Sequence, residues 1–190
     1  MFGLGLLVLS LLGAASVPET GPGSCFPDAA GLGAFEYIWY CNHLHALGEV
    51  GLPRGSESYR FVYLRCYHRP IIVRVQRIGQ RWLLFAGVLS GKGGYEPGHV
   101  VQRVHRELSA TEVGILQQRL SEAGFWSRAD AQERVAGTDG AQWILEGRLE
   151  RDYRILDIWS PQGRRYSAFR ALCLFLLDLA RVRPAADEIY

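Results

Sequence analysis

Lysine is almost missing from this chain: of 21 basic residues Lys92 is the one lysine and the rest are arginine. A dominant charge is missing too, because 21 basic residues against 19 acidic ones leave +2. That balance makes no general case for binding nucleic acid or an anionic membrane. No apolar run reaches the roughly 20 residues needed to cross hydrocarbon. No C-x-x-C pair occurs, which removes a zinc ribbon or a thioredoxin-like redox site. There is no G-x-S-x-G, and His43, His45, His68, His99 and His105 stand in no nucleophile context, so no catalytic triad can be built. What is present is 190 residues with 48% apolar and 12% aromatic side chains, which excludes a disordered or fibrous chain and fits one folded domain.

Residues Met1 to Ser16 carry no charged side chain, and the apolar block Leu4 to Leu12 runs into Gly13, Ala14, Ala15 and Ser16. This pattern reads as a secretory signal peptide, residues 1–16, cleaved after Ala15 or Ser16. No lysine or arginine precedes the block. A retained anchor is the competing reading, but about 16 residues are too few for a span. Export would put Cys25, Cys41, Cys66 and Cys173 in an oxidising compartment. One disulfide, drawn from Cys25, Cys41 and Cys66, is expected. Cys173 lies inside the apolar run Ala171 to Ala180, where a buried small hydrophobe is the simpler reading.

Residues 17–33 hold three prolines and several turn formers, and are expected to be an extended leader on which little depends. The domain proper is expected over 34–183, with 184–190 as a tail. Apolar residues recur at helical spacing from Ala34 to Leu47, and Gly48 is placed to end that helix in the left-handed conformation. Strand patterns follow at Tyr59–Tyr67, Ile71–Ile78, Trp82–Leu89 and His99–Glu107. With Gly79 and Gln80 as the turn, Val75 faces Leu84, Val73 faces Ala86 and Ile71 faces Val88. Ser109 and Glu112 form a capping box for a helix over Ala110–Ala123. A polar stretch, Ser127 to Gly140, precedes strands at Gln142–Leu149 and Tyr153–Trp159, and a leucine-rich helix begins near Arg165. The pattern predicts an α+β domain: an antiparallel sheet of about six strands packed against two or three helices.

Three constellations could carry chemistry. Cys41, His43 and His45 offer thiolate and imidazole, yet on a helix Cys41 and His45 share a face while His43 does not, so no metal site is expected. Ser90-Gly91-Lys92-Gly93-Gly94 resembles a phosphate loop but lacks its first glycine and its Ser or Thr, and it leads into a strand rather than a helix. The last hairpin is the informative one. With Arg151 and Asp152 as its turn, Trp143, Leu145 and Gly147 form an apolar side toward the helices, and Gln142, Glu146, Arg148, Asp157 and Trp159 share the other side. Glu146 would then lie directly across from Asp157, an arrangement that separates carboxyl pKa values unless an arginine neutralises it. A three-residue loop would break that pairing.

The run Thr138-Asp139-Gly140-Ala141-Gln142-Trp143-Ile144-Leu145-Glu146-Gly147, continued by Tyr153 to Pro161, resembles a group of exported bacterial proteins of unknown function. The same group is similar in the helix ending at Gly124-Phe125-Trp126 and in the leucine-rich last helix. The resemblance implies export and one domain from Phe35 onward, and carries no activity.

These readings point to an exported, periplasmic or secreted binding protein without enzymatic activity, of the inhibitor or immunity type, whose partner is another envelope protein. Gln142, Glu146, Arg148, Asp157 and Trp159 are its candidate binding residues, with no catalytic residue, cofactor, metal or nucleic acid expected. A small envelope hydrolase using Glu146 and Asp157, with Arg148 and Trp159 shaping the site, is the second reading, and an envelope scaffold the third.

Overall fold

A computed structural model describes residues 24–27, 30–127, 132–133 and 139–190. Its strands are β1 (Ser58–Arg65), β2 (Ile71–Ile78), β3 (Arg81–Leu89), β4 (Val100–Glu107), β5 (Gln132–Glu133), β6 (Ala141–Leu149) and β7 (Asp152–Trp159). They form one sheet in the order β4-β3-β2-β1-β6-β7-β5, antiparallel throughout except that the two-residue β5 runs parallel to β7. Helices α1 (Ala34–Leu47), α2 (Ala110–Glu122) and α3 (Ser167–Leu179) complete an α+β fold.

The β2–β3 hairpin has the register its turn implies: Gly79, at φ 61°, and Gln80 connect the strands, and Val75, Val73 and Ile71 stand opposite Leu84, Ala86 and Val88. Ser109 caps α2 with the reciprocal Glu112 contact, and Gly48 ends α1 at φ 83°. Arg106 on β4 then grips Glu112 at 2.7 Å and donates to the Leu179 carbonyl at 2.9 Å, which ties the sheet edge to α2 and α3.

Strand side chains alternate between faces, and both faces are covered. On one face Tyr59, Phe61, Tyr63, Val73, Leu84, Trp143, Leu145 and Leu156 pack against Leu116 and Leu120 of α2 and Phe169, Leu172, Cys173 and Leu176 of α3. Each such aromatic or large aliphatic side chain contributes about 1.5–3 kcal/mol by leaving water. On the other face Val62, Leu64, Ile72, Ile144 and Ile155 meet Tyr40, Leu44 and Leu47 of α1 together with Cys25, Phe26 and Ala30. At Gly87 the α1 helix comes so close that a Cβ would sit 2.1 Å from Leu47 Cδ1.

Two segments that composition sets aside take part in packing. Cys25 and Phe26 of the leader are buried. The C-terminal residues lie on the sheet: Trp143 Nε1 donates to the Tyr190 carbonyl at 2.9 Å, Tyr63 Oη to the Glu188 carbonyl at 3.2 Å, and Arg65 pairs with the Glu188 carboxylate. Most of the polar stretch 127–140 lies outside the described residues; Gln132–Glu133 supply β5.

Candidate functional site

The five residues singled out in the last hairpin do share one side of the sheet, but their partners differ from the expected ones. The β6–β7 turn is Glu150-Arg151, with Glu150 in the left-handed region at φ 52°, because Leu149 pairs with Asp152. Relative to a turn at Arg151-Asp152 this slides β7 by two residues. A one-residue slip would exchange the faces, whereas a two-residue slip keeps them and changes only the cross-strand neighbours. Glu146 therefore stands opposite Ile155, Asp157 opposite Ile144 and Gln142 opposite Trp159. The expected Glu146–Asp157 pair does not form.

This side lies beneath α1 rather than in solvent: Glu146, Arg148, Asp157 and Gln142 are all buried, and Trp159 is half-buried. Glu146 is neutralised by Arg60, which projects from the centre of β1 and is itself fully buried. Arg60 Nε donates to Glu146 Oε1 at 2.6 Å and Tyr153 Oη donates to Oε2 at 2.8 Å. The remaining Arg60 nitrogens donate to the carbonyl of Cys25 at 3.0 Å, to the carbonyl of Val50, and to Glu49 at 3.3 Å. Burial pushes the Glu146 carboxyl up, opposed by the Arg60 charge; burial pushes the Tyr153 hydroxyl well up in the same pocket. A charged pair taken out of water is tolerated when its lone pairs and protons are filled in this way.

Asp157 has a separate set of donors. Tyr40 Oη of α1 lies 3.0 Å and 3.2 Å from its two oxygens, and the Gln142 amide donates to Oδ1. The polar layer is thus a set of bolts between α1, the leader and strands β1, β6 and β7. Arg60, Tyr40 and Glu49 were not among the sequence candidates. The available signal was the arginine inside Ser58-Tyr-Arg-Phe-Val-Tyr-Leu, a charge at an otherwise apolar position of a central strand, which demands a buried partner.

The thiols and imidazoles of α1 divide as helical spacing requires. Cys41 and His45 both face Cys25, whose Sγ lies 3.1 Å from His45 Nε2 and 4.0 Å from the Cys41 carbonyl. His43 turns elsewhere, its Nδ1 donating to the Trp39 carbonyl at 2.9 Å, and burial pushes its pKa down. No disulfide joins the four cysteines, and no group of three metal-ligating side chains occurs among the described residues.

The exposed aromatic surface lies elsewhere. Phe35 and Ile38 on the outer side of α1 are 72% and 60% exposed, and Tyr95 and Tyr67 are 64% and 50% exposed. Trp39 links the two halves: its ring lies 5.8 Å from that of Phe35, and its Nε1 donates at 2.8 Å to the carbonyl of Gly93, two residues before Tyr95. The Tyr67 and Tyr95 rings are 6.4 Å apart, and the Tyr67 hydroxyl donates to Asp139 at 2.6 Å. The result is one strip of apolar and aromatic side chains carried by α1, the β1–β2 connection and the loop after β3.

No known protein family matches the chain, and no curated protein matches it. No helix among the described residues is long and apolar enough to cross a membrane.

Proposed function

We propose that the chain is an exported binding protein without enzymatic activity, and that it engages another envelope protein through the strip formed by Phe35, Ile38, Trp39, Tyr67 and Tyr95. The exposure of this strip carries the reading. Contact surfaces between proteins concentrate aromatic side chains, and such groups left in water cost free energy that a partner recovers. The polar layer on the sheet is committed to internal bonds and acts in this reading as the support for α1. A hydrolase built on Glu146 and Asp157 would first have to free Glu146 from Arg60 and Tyr153 and lift Tyr40 of α1 from Asp157. Export rests on the uncharged apolar start and on the resemblance to exported bacterial proteins. In an oxidising compartment Cys25 and Cys41 are the pair placed to form the single disulfide.

The test is capture from an envelope fraction with the wild-type chain and with Phe35→Glu, Ile38→Glu and Tyr95→Glu combined. The expected result is a defined partner that the wild type retains and the triple variant loses, with both proteins equally folded. Identical recovery by the two would overturn the reading.

A further inference from the structure

At the end of the sheet where β1 begins, away from the aromatic strip, a groove opens between the α1–β1 connection and the β6–β7 turn. It is lined by Arg54, Arg148, Arg151, Glu150 and Tyr153, with Pro27 of the leader at its side. Arg148 is the informative member. It is 7% exposed, yet its Nε has no hydrogen-bond partner among the described residues, and its guanidinium lies over the Tyr153 ring, 5.2 Å from the centroid. Ser58, its cross-strand neighbour on β1, points to the same side and has a buried hydroxyl without a partner among the described residues. An orphaned buried donor costs about 1–3 kcal/mol, so Arg148 and Ser58, side by side at this end of the sheet, call for an acceptor.

We propose that this groove binds a dianionic oxyanion, a phosphate monoester or a small dicarboxylate, with Arg148 as the inner donor and Arg54 and Arg151 at the rim. Among the described lining residues, three arginines against Glu150 leave two positive charges, which a dianion balances. The arginine fork matches the planar or tetrahedral oxygen pairs of both groups. Stacking on Tyr153 holds the Arg148 fork before the ligand arrives, so little side-chain freedom is lost on binding. The groove is separate from the aromatic strip, and neither depends on the other.

The experiment is calorimetric titration of the full chain with inorganic phosphate and with succinate, at ionic strength held constant with sodium chloride. Binding of either dianion at a single site is expected, with Arg148→Gln weakening it about tenfold or more. The exposed double variant Arg54→Gln/Arg151→Gln should weaken it similarly and decides the matter if Arg148→Gln does not fold. A response to phosphate alone identifies a phosphoryl ligand, and a response to succinate alone a dicarboxylate. Absence of binding by both, or equal binding in wild type and variants, overturns the proposal.

Discussion

Arg60 and Glu146 face each other across β1 and β6, both fully buried, with Nη2 and Nε of the guanidinium 2.5 Å and 2.6 Å from the same carboxylate oxygen. Removing one partner strands the other charge in a place water does not reach. Glu146→Gln should therefore destabilise the fold by about 3–5 kcal/mol in urea unfolding, while Arg60→Met combined with Glu146→Leu should recover most of that loss. A single variant of near wild-type stability would mean that the pair is not the hub of the layer.

The Tyr40–Asp157 contact joins α1 to β7. Tyr40→Phe removes the donor and keeps the ring, so the expected cost is about 1–2 kcal/mol, measured by chemical denaturation. An unchanged midpoint would show that the Tyr40 hydroxyl contributes nothing to holding α1 on β7.

How much of this was legible beforehand can be judged from the two hairpins. Gly79-Gln80 offers a glycine at the position that needs a left-handed residue, so the β2–β3 register followed from the turn. The β6–β7 turn has no glycine; Glu150 takes the left-handed conformation instead, and nothing local distinguishes Glu150-Arg151 from Arg151-Asp152. Either turn puts the same side chains on the same face, because the two registers differ by an even number of residues. The covering of the polar face was not legible: helical periodicity located α1, but which side of the sheet it would bury depended on Arg60 meeting Glu146 and Tyr40 meeting Asp157, partners 86 and 117 positions apart that come together only after folding.

Close docking of α1 at Gly87 predicts that Gly87→Ala costs about 1–3 kcal/mol, since the new methyl meets the end of Leu47. Leu47→Ala should cost less in the Gly87→Ala background than in the wild type, because the clash it relieves offsets part of its own loss. Additive effects in thermal unfolding would contradict this packing.

Stability should fall in two stages on acidification. Burial pushes His43 below its ordinary 6.5, so the folded state favours the neutral ring, and stability present above that pH declines as the pH drops below it. The hydrogen bond from Arg106 holds Glu112 down from 4.5 to about 2, so its contribution is complete above 4.5 and is lost between 4.5 and about 2. Because this pair is partly exposed, about 1 kcal/mol is expected from it. Urea unfolding across this range should show the lower stage flattened in Glu112→Gln; an unaltered acid limb would contradict the assignment.

Oxidation should link Cys25 to Cys41. Hydrogen bonding to Cys41, with burial, raises the Cys25 thiol, and the same bond lowers Cys41, which makes Cys41 the readier thiolate. Cys66 stands past the other end of β1 beside Gly94. Peptide mapping of exported protein under non-reducing conditions should find the 25–41 bridge, with Cys66 and Cys173 alkylatable after denaturation. A bridge to Cys66 would contradict the arrangement of the leader against α1.

The central claim, partner binding through the aromatic strip, is tested most directly by placing a photo-crosslinking residue at Ile38 or at Tyr95 and, for comparison, at Gln118 on the exposed side of α2, in the cells that make the protein. The account predicts one discrete protein adduct from Ile38 and Tyr95 and none from Gln118. Adducts from Gln118 alone, or none from either strip position, would contradict it.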